Sequence, residues 1–240
     1  MSDGLRVAGL TKHYGRLAAL ADVGFTIRPG EILGLIGPNG AGKTTLFECM
    51  AGVLPPTAGG VLLDGRPITS RERSRMLFYL PDAVAPWPAQ PVGWALNFAI
   101  GFFGGRADLL RDVIEGLALP PLLKHPIGTL SKGQRKRVML AIGLLTSSPV
   151  LLADEPFDGL DLRQSREVAV TLRAHASRGR TLFLSIHQIA DAARVCDRFV
   201  LLSGGRVCGE GTLEDLSALA RTRDAAPSRP DLEEVFLALT

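Results

Sequence analysis

The sequence predicts an α/β fold on a mainly parallel sheet, with a helical segment inserted into it. Three observations carry this reading. Short, almost continuously apolar runs recur along the chain, as expected of strands covered on both faces. One of them, Glu31 to Ile36, passes through a glycine-rich turn into a helical pattern. Between Asp82 and about Ser148 the apolar residues recur at helical spacing, with almost no strand signal.

The elements follow in order. Val7 to Leu10 and Val23 to Ile27 read as short strands, and Arg28-Pro29-Gly30 as a turn. Glu31 to Ile36 is a buried strand and Lys43 to Ala51 a helix. Further strands are predicted at Gly60 to Leu63, Met76 to Leu80, Val150 to Ala153, Thr181 to Ile186 and Phe199 to Leu202. Pro81, Pro86, Pro88 and Pro91 mark entry into the helical segment, about 83–148, and Pro149 marks its exit. Residues 221–240 read as a polar linker, Arg221 to Pro230, followed by a terminal helix. The helix carries an apolar stripe of Leu232, Val235, Phe236 and Leu239, expected to dock on the core.

Composition narrows the class. A chain of 240 residues, 46% hydrophobic, can bury a sizeable core and reads as one domain, 1–240, with a lobe. At 21%, its charged residues exclude a disordered or fibrous chain. A net charge of +3 suits an anionic ligand or a membrane surface and is too small to argue for nucleic acid. Cys49, Cys196 and Cys208 form no CxxC pair and read as small buried hydrophobes in a reducing compartment. The N-terminus shows no basic region followed by an apolar run, so no signal peptide is expected. The longest apolar stretch, Val92 to Gly104, is too short to span a bilayer and is broken by Gly93, Asn97 and Gly101. Membrane association is therefore expected to need a partner.

The segment Gly37-Pro38-Asn39-Gly40-Ala41-Gly42-Lys43-Thr44 fits G-x-x-x-x-G-K-[ST] between a strand and a helix, the context such a loop requires. Its glycines let successive backbone N–H groups point inward. The helix N-terminus adds positive partial charge. Lys43 is placed to reach the outer phosphates of a nucleotide, and the Thr44 hydroxyl to ligate magnesium. A second signal follows the strand Val150 to Ala153, which ends in Asp154 and Glu155. Adjacent acids at a buried strand end are costly unless paired or metal-bound. Asp154 is expected to hold magnesium, and Glu155 to orient and deprotonate an attacking water. The bland alternatives, a plain strand–helix turn and a solvated acid pair, explain neither Lys43 and Thr44 nor the coincidence of the two signals.

With these motifs stand others in a familiar order. Leu130-Ser131-Lys132-Gly133-Gln134 resembles the signature LSGGQ, and Gly159-Leu160-Asp161 resembles a D-loop. His187 follows a predicted strand, and Tyr14 precedes the phosphate loop. Together they resemble the ATP-binding cassette ATPases over essentially the whole chain, and the closing Leu232 to Leu239 resembles the exporter-type branch. The resemblance implies a P-loop NTPase core with a mixed, mainly parallel sheet, an N-terminal antiparallel β subdomain and an inserted helical subdomain. It also implies binding of ATP and magnesium, with Tyr14 stacked on adenine and loop contacts running on to Thr45. Two cassettes would pair head to tail, Ser131, Gly133 and Gln134 of one facing the nucleotide of the other. His187 would contact the γ-phosphate, and Asp161 would lie at the dimer interface.

Two positions depart from the family pattern. Lys132 replaces a signature glycine; its side chain either points away from the nucleotide or lends its charge to the phosphate. Asp82 stands where the family has a glutamine, and a carboxylate there would meet magnesium or its waters; Gln90 in a shifted loop is the alternative. The clusters Arg71, Arg73, Arg75 and Arg135, Lys136, Arg137 read as solvated faces, with no interleaved aromatics of the kind that bind single strands. The resemblance thus implies the ATPase subunit of a transporter, exporting its substrate through a separate transmembrane permease docked on Asp82 to Trp94. It would sit peripherally at the cytoplasmic face of the cell membrane. Competing readings are a cytosolic cassette in translation or DNA maintenance, and a catalytically dead regulatory cassette. The first lacks a second cassette or coiled-coil insertions in this sequence, and the second is opposed by Glu155, Lys43 and His187 being in place.

Overall fold

A computed structural model of the chain describes residues 4–84, 86–222 and 231–240. Its first layer is antiparallel. Strands β1 (Leu5–Tyr14) and β2 (Leu17–Ile27) form a long hairpin, joined by β4 (Ala58–Leu63) and the short β5 (Arg66–Pro67) in the order β2-β1-β4-β5. The strands predicted at Val7 and Val23 extend well beyond their apolar cores. β1 alternates buried Leu5 and Val7 with outward residues, a half-covered face that continuous apolarity does not reveal.

The second layer is a six-stranded sheet of order β10-β9-β3-β8-β7-β6. It comprises β3 (Ile32–Ile36), β6 (Leu77–Leu80), β7 (Val150–Asp154), β8 (Thr181–Ser185), β9 (Arg198–Ser203) and β10 (Arg206–Gly211). All neighbours are parallel except the β9–β10 hairpin. The central strands β3, β7 and β8 are buried at every residue, as their runs predict. Helix α1 (Lys43–Ala51) lies between the layers. Its Phe47 packs edge-on to Phe183 of β8 at 4.9 Å and to Tyr79 of β6 at 6.0 Å. α2 (Ser70–Met76) precedes β6 and takes the Met76 that the strand prediction claimed. Thr69 and Glu72 form a capping box that starts this helix early.

On the other face lie α3 (Val92–Phe102), α4 (Leu110–Gly116), α5 (Lys132–Leu145), α6 (Leu162–Ser177), α7 (Ile189–Val195), α8 (Leu213–Arg221) and α9 (Leu232–Leu239). Among the described residues no named strand falls between 81 and 149. α9 buries Leu232, Val235 and Leu239 against the large core, the stripe its sequence carries. Most of the predicted linker, 223–230, lies outside the described residues. Among those residues no helix is long and apolar enough to cross a membrane.

Part of each basic cluster differs from the expected solvated face, while Arg71 and Arg75 are exposed as expected. Lys136 and Arg137 are buried, the latter donating to Leu117 O at 3.0 Å. Arg73 reaches into the core layer to donate to Cys49 O at 3.0 Å. In each case a long aliphatic stem is covered while the charged end finds carbonyl or carboxylate acceptors.

Candidate functional site

The site forms where β3 and β7 end beside each other's flanking loops. The turn after β3 folds into a cradle at the N-terminus of α1. Gly42 is the N-cap residue at φ +104, with no side-chain cap, so the leading N–H groups of α1 are not closed off by a side chain. A Cβ at Gly42 would lie 2.6 Å from Ala19 O, so glycine is required both by the backbone angle and by the close approach of β2. The Lys43 ammonium folds back over the loop, donating to Gly37 O at 2.8 Å and Pro38 O at 3.4 Å.

The carboxylates sit opposite. Asp154 is buried at the end of β7 and accepts from the Thr44 hydroxyl at 2.8 Å and from the Ser185 hydroxyl. Its carbonyl accepts from the buried Lys136 at 3.0 Å. Glu155 follows at φ +49, a left-handed angle uncommon for a side chain of its size, which turns it away from Asp154. Its N–H donates to Ser185 O at 3.2 Å and Ser185 Oγ at 3.0 Å. Glu155 Oε2 accepts the His187 backbone N–H at 2.9 Å, and Oε1 lies 3.7 Å from the Lys43 ammonium. Burial pushes its carboxyl above the usual range, with Lys43 opposing and Asp154 adding to the rise. A carboxylate that is short of solvent yet held at both oxygens is suited to take a proton from water.

The walls of one open cleft of about 590 Å³ include Tyr14, Pro38, Asn39, Gly40, Gly42, Lys43, Thr44, Thr45, Asp82, Asp154 and Glu155. An adjoining hollow adds His187 and Asp158 beside Asn39, Asp82 and Glu155. Ala41 is buried beneath the loop, its carbonyl accepting from Gly205 N at 3.1 Å. Tyr14 is half-exposed at the cleft edge, with the Lys12 ammonium 5.3 Å from its ring centre. Asp82 stands on the wall with Oδ1 held by Lys136 at 2.6 Å.

The signature residues are not among the lining of that cleft. Ser131 caps α5: its Oγ accepts from Gln134 N at 3.3 Å, and the Gln134 side chain accepts from Ser131 N at 2.9 Å. Ser131 is exposed at the helix start. A Cβ on Gly133 would lie 2.4 Å from Gly159 O, so this glycine lets the signature turn rest on the loop that carries Asp161. Lys132 pairs with Asp158 on the same loop. Asp161 caps α6, accepting from Gln164 N at 2.8 Å.

Two residues of the site escaped the sequence reading. Ser185 holds both Asp154 and the backbone of Glu155; its signal was a hydroxyl closing an otherwise apolar strand. Lys136 ties Asp154 and Asp82 together. Its signal was position, three residues after the buried Gly133 and four before the buried Leu140.

The arrangement fits a magnesium nucleotide. Thr44 and Asp154 offer hard oxygen ligands close together under an uncapped helix N-terminus. Among the described residues there is no cluster of three or more acidic, histidine or cysteine side chains that would cage a metal by itself. Magnesium is bound in this way, by one or two protein oxygens with phosphate oxygens and waters completing its shell.

Comparison with known proteins gives a consistent picture. A family model described as ABC transporter matches residues 20–158. The Escherichia coli protein named "Probable multidrug ABC transporter ATP-binding protein YbhF" is 34% identical over 236 residues, covering 96% of this chain and 40% of that protein. The chain thus spans less than half the length of that relative. The "SkfA peptide export ATP-binding protein SkfE" of Bacillus subtilis is 30% identical over 207 residues, covering 85% of this chain and 87% of SkfE. Relatives of similar identity carry import in their names as well. A solved "ATP binding subunit of ABC transporter" superposes with a TM-score of 0.85 at 29% identity, covering 98% of each chain.

Proposed function

This chain belongs to the ABC transporter family, and from that premise we propose that it is the ATP-hydrolysing subunit of a transporter, driving translocation through a separate transmembrane permease. The observation that carries the catalytic part is the setting of Glu155, which accepts the His187 N–H at 2.9 Å and stands 3.7 Å from Lys43. In this reading Lys43 and the N–H groups leading α1 bind the β- and γ-phosphates, and Tyr14 stacks on adenine. Thr44 and Asp154 hold magnesium. Asp82 Oδ2 would meet its waters, and Ser185 keeps Asp154 oriented. Magnesium, when bound, would neutralise phosphate charge. Glu155 takes the proton of the attacking water, and His187 contacts the γ-phosphate. Burial, by raising the affinity of Glu155 for a proton, favours that transfer.

The nucleotide is completed by a second cassette. Ser131 is exposed at the start of α5, with its hydroxyl hydrogen uncommitted among the described residues. Ser131, Gly133 and Gln134 face the partner's γ-phosphate, and Asp161 lies at the interface. The permease docks on the segment from Asp82 to Trp94. Beside it Trp94, Phe98 and Phe102 stack along the outer face of α3, an apolar surface suited to a protein partner. The cassette is then peripheral, held at the cytoplasmic face of the membrane by that contact. Export is the preferred direction, supported by the similarity to SkfE and by the terminal helix.

The test is magnesium-dependent ATP hydrolysis by the chain and by Glu155→Gln. The variant should lose at least a hundredfold in turnover, retain nucleotide binding and sediment as an ATP-dependent dimer. Near-normal turnover would remove Glu155 from the role of base.

A further inference from the structure

We propose that the protein carries a second anion site, remote from the nucleotide cleft, that binds a small oxyanion of the phosphate class between the helical segment and the sheet. It is a cavity of about 180 Å³ at the starts of β7 and β8, whereas the nucleotide cleft lies at the other ends of these strands. The walls include Arg106 after α3, Thr146 and Ser148 after α5, His175 and Arg178 at the end of α6, and Arg180 before β8. No acidic side chain lines it among the described residues. Asp108 and Asp112 pair with Arg106 and Arg178 from outside, at 2.7 Å and 3.0 Å, and fix the orientation of both guanidinium groups.

Arg180 has a partly structural task. Its terminal nitrogens donate to Gly143 O at 3.1 Å, to Thr146 Oγ1 at 2.9 Å and to Thr146 O, capping the carbonyl end of α5. Among the described residues that task leaves its charge without a carboxylate partner, and its Nε is buried with no acceptor. His175 is the second anomaly. It is 4% exposed, and among the described residues its ring makes no hydrogen bond. Burial, with Arg178 and Arg180 nearby, pushes the imidazole down to about 4, so at neutral pH it is uncharged and presents one N–H. Buried polar groups left unpaired in this way call for an explanation.

The cavity presents three guanidinium groups and the His175 N–H, so it favours a ligand that accepts hydrogen bonds and carries negative charge. The cavity is smaller than the usual range for a drug-sized ligand, roughly 300–1,000 Å³, a size that fits phosphate or the head of a small phosphate monoester. Its place gives binding a consequence. Helices α5 and α6 begin at the signature Ser131 and at Asp161, and the cavity joins their far ends. An oxyanion there would link Arg106 of the helical segment to Arg178 and Arg180 of the core.

The experiment uses the full chain carrying Lys43→Ala, so that the phosphate loop does not compete. The His175 ring nitrogens, identified by loss of their signals in His175→Gln, are followed by 15N NMR during titration with inorganic phosphate. Glycerol phosphate and sodium chloride of equal ionic strength serve as parallel arms. We expect a saturable shift with phosphate or with the monoester, and at least tenfold weaker binding in Arg106→Gln/Arg178→Gln. Both of those side chains are about half-exposed, so the double variant should fold. Saturation by both ligands identifies the phosphate group as the determinant; saturation by the monoester alone identifies a small phosphorylated metabolite. Signals that do not move, that move equally with chloride, or that titrate unchanged in the double variant overturn the site.

Discussion

Single residues in this protein are set against their ordinary chemistry, and pH exposes the conflict. Glu155 is pushed above its usual value of 4.5, first by burial. As the proposed base it must be ionised to act, so the acidic limb of the kcat/KM profile for ATP hydrolysis should fall above 4.5. A limb at or below that value would assign the proton to another group. His175 shows the opposite shift, from 6.5 down to about 4. The unfolded chain then binds this proton before the folded one does, so its contribution to stability is complete above 6.5 and is lost as pH falls towards 4. Arg106, Arg178 and Arg180 repel the protonated ring, and Asp112 favours it. Denaturation midpoints of His175→Gln should accordingly fall less between pH 6.5 and 4 than those of the parent. Equal slopes would remove His175 as the source.

At the scale of elements, α5 is the piece on which the site turns. Its first two turns touch the ends of two strands: Lys132 pairs with Asp158 beyond β7, and Lys136 with Asp82 beyond β6. Lys136→Met keeps the buried stem and removes the charge. It leaves Asp154 O without that donor and frees Asp82 to swing. We expect a loss of about 1–3 kcal/mol in stability and a higher magnesium requirement for hydrolysis, read by urea denaturation and magnesium titration. An unchanged magnesium dependence would make the pair a surface accessory. Gly133→Ala tests the contact between α5 and the loop of Asp161. The added methyl would meet Gly159 O at 2.4 Å, a rigid backbone atom. The two segments must part, at a cost of roughly 1–3 kcal/mol. An alanine variant as stable as the parent would show that the turn gives way freely.

Two sheet layers clasp α1, the remaining helices cover the far face of the larger sheet, and the proposed nucleotide cleft draws on both sheets and on α1. Tyr14 comes from the antiparallel layer, Lys43 from the start of α1 between the layers, and Asp154 and Glu155 from the end of β7. Ligand binding should therefore stabilise the molecule as a unit. At a hundredfold excess over Kd, magnesium ATP should add about 2.7 kcal/mol, a rise in Tm of roughly 5–11 °C for a domain of this size. Lys43→Ala removes the charge proposed to face the phosphates and should abolish most of that rise, measured by thermal unfolding with and without nucleotide. A full rise in the variant would place nucleotide binding outside the phosphate loop.

The sequence by itself determined the α/β class, the central strands, the phosphate loop and the paired acids. These are local: an apolar run of strand length, a glycine turn with Lys43 and Thr44 behind it, and a strand ending in Asp154-Glu155 all declare themselves within a few neighbouring residues. It did not determine which charges are surface and which are structural. Lys136 and Arg137 read as part of a solvated basic run because composition weighs a residue by its type. Only the packing of α5 against β7 decided that Lys136 points inward, to a carbonyl eighteen residues away. Ser185 likewise acquires its role from β8 lying beside β7, a pairing across thirty-one positions. Burying a charged or hydroxyl group is tolerated only where a partner meets it. Such partners come from distant parts of the chain, so the tertiary fold alone selects them.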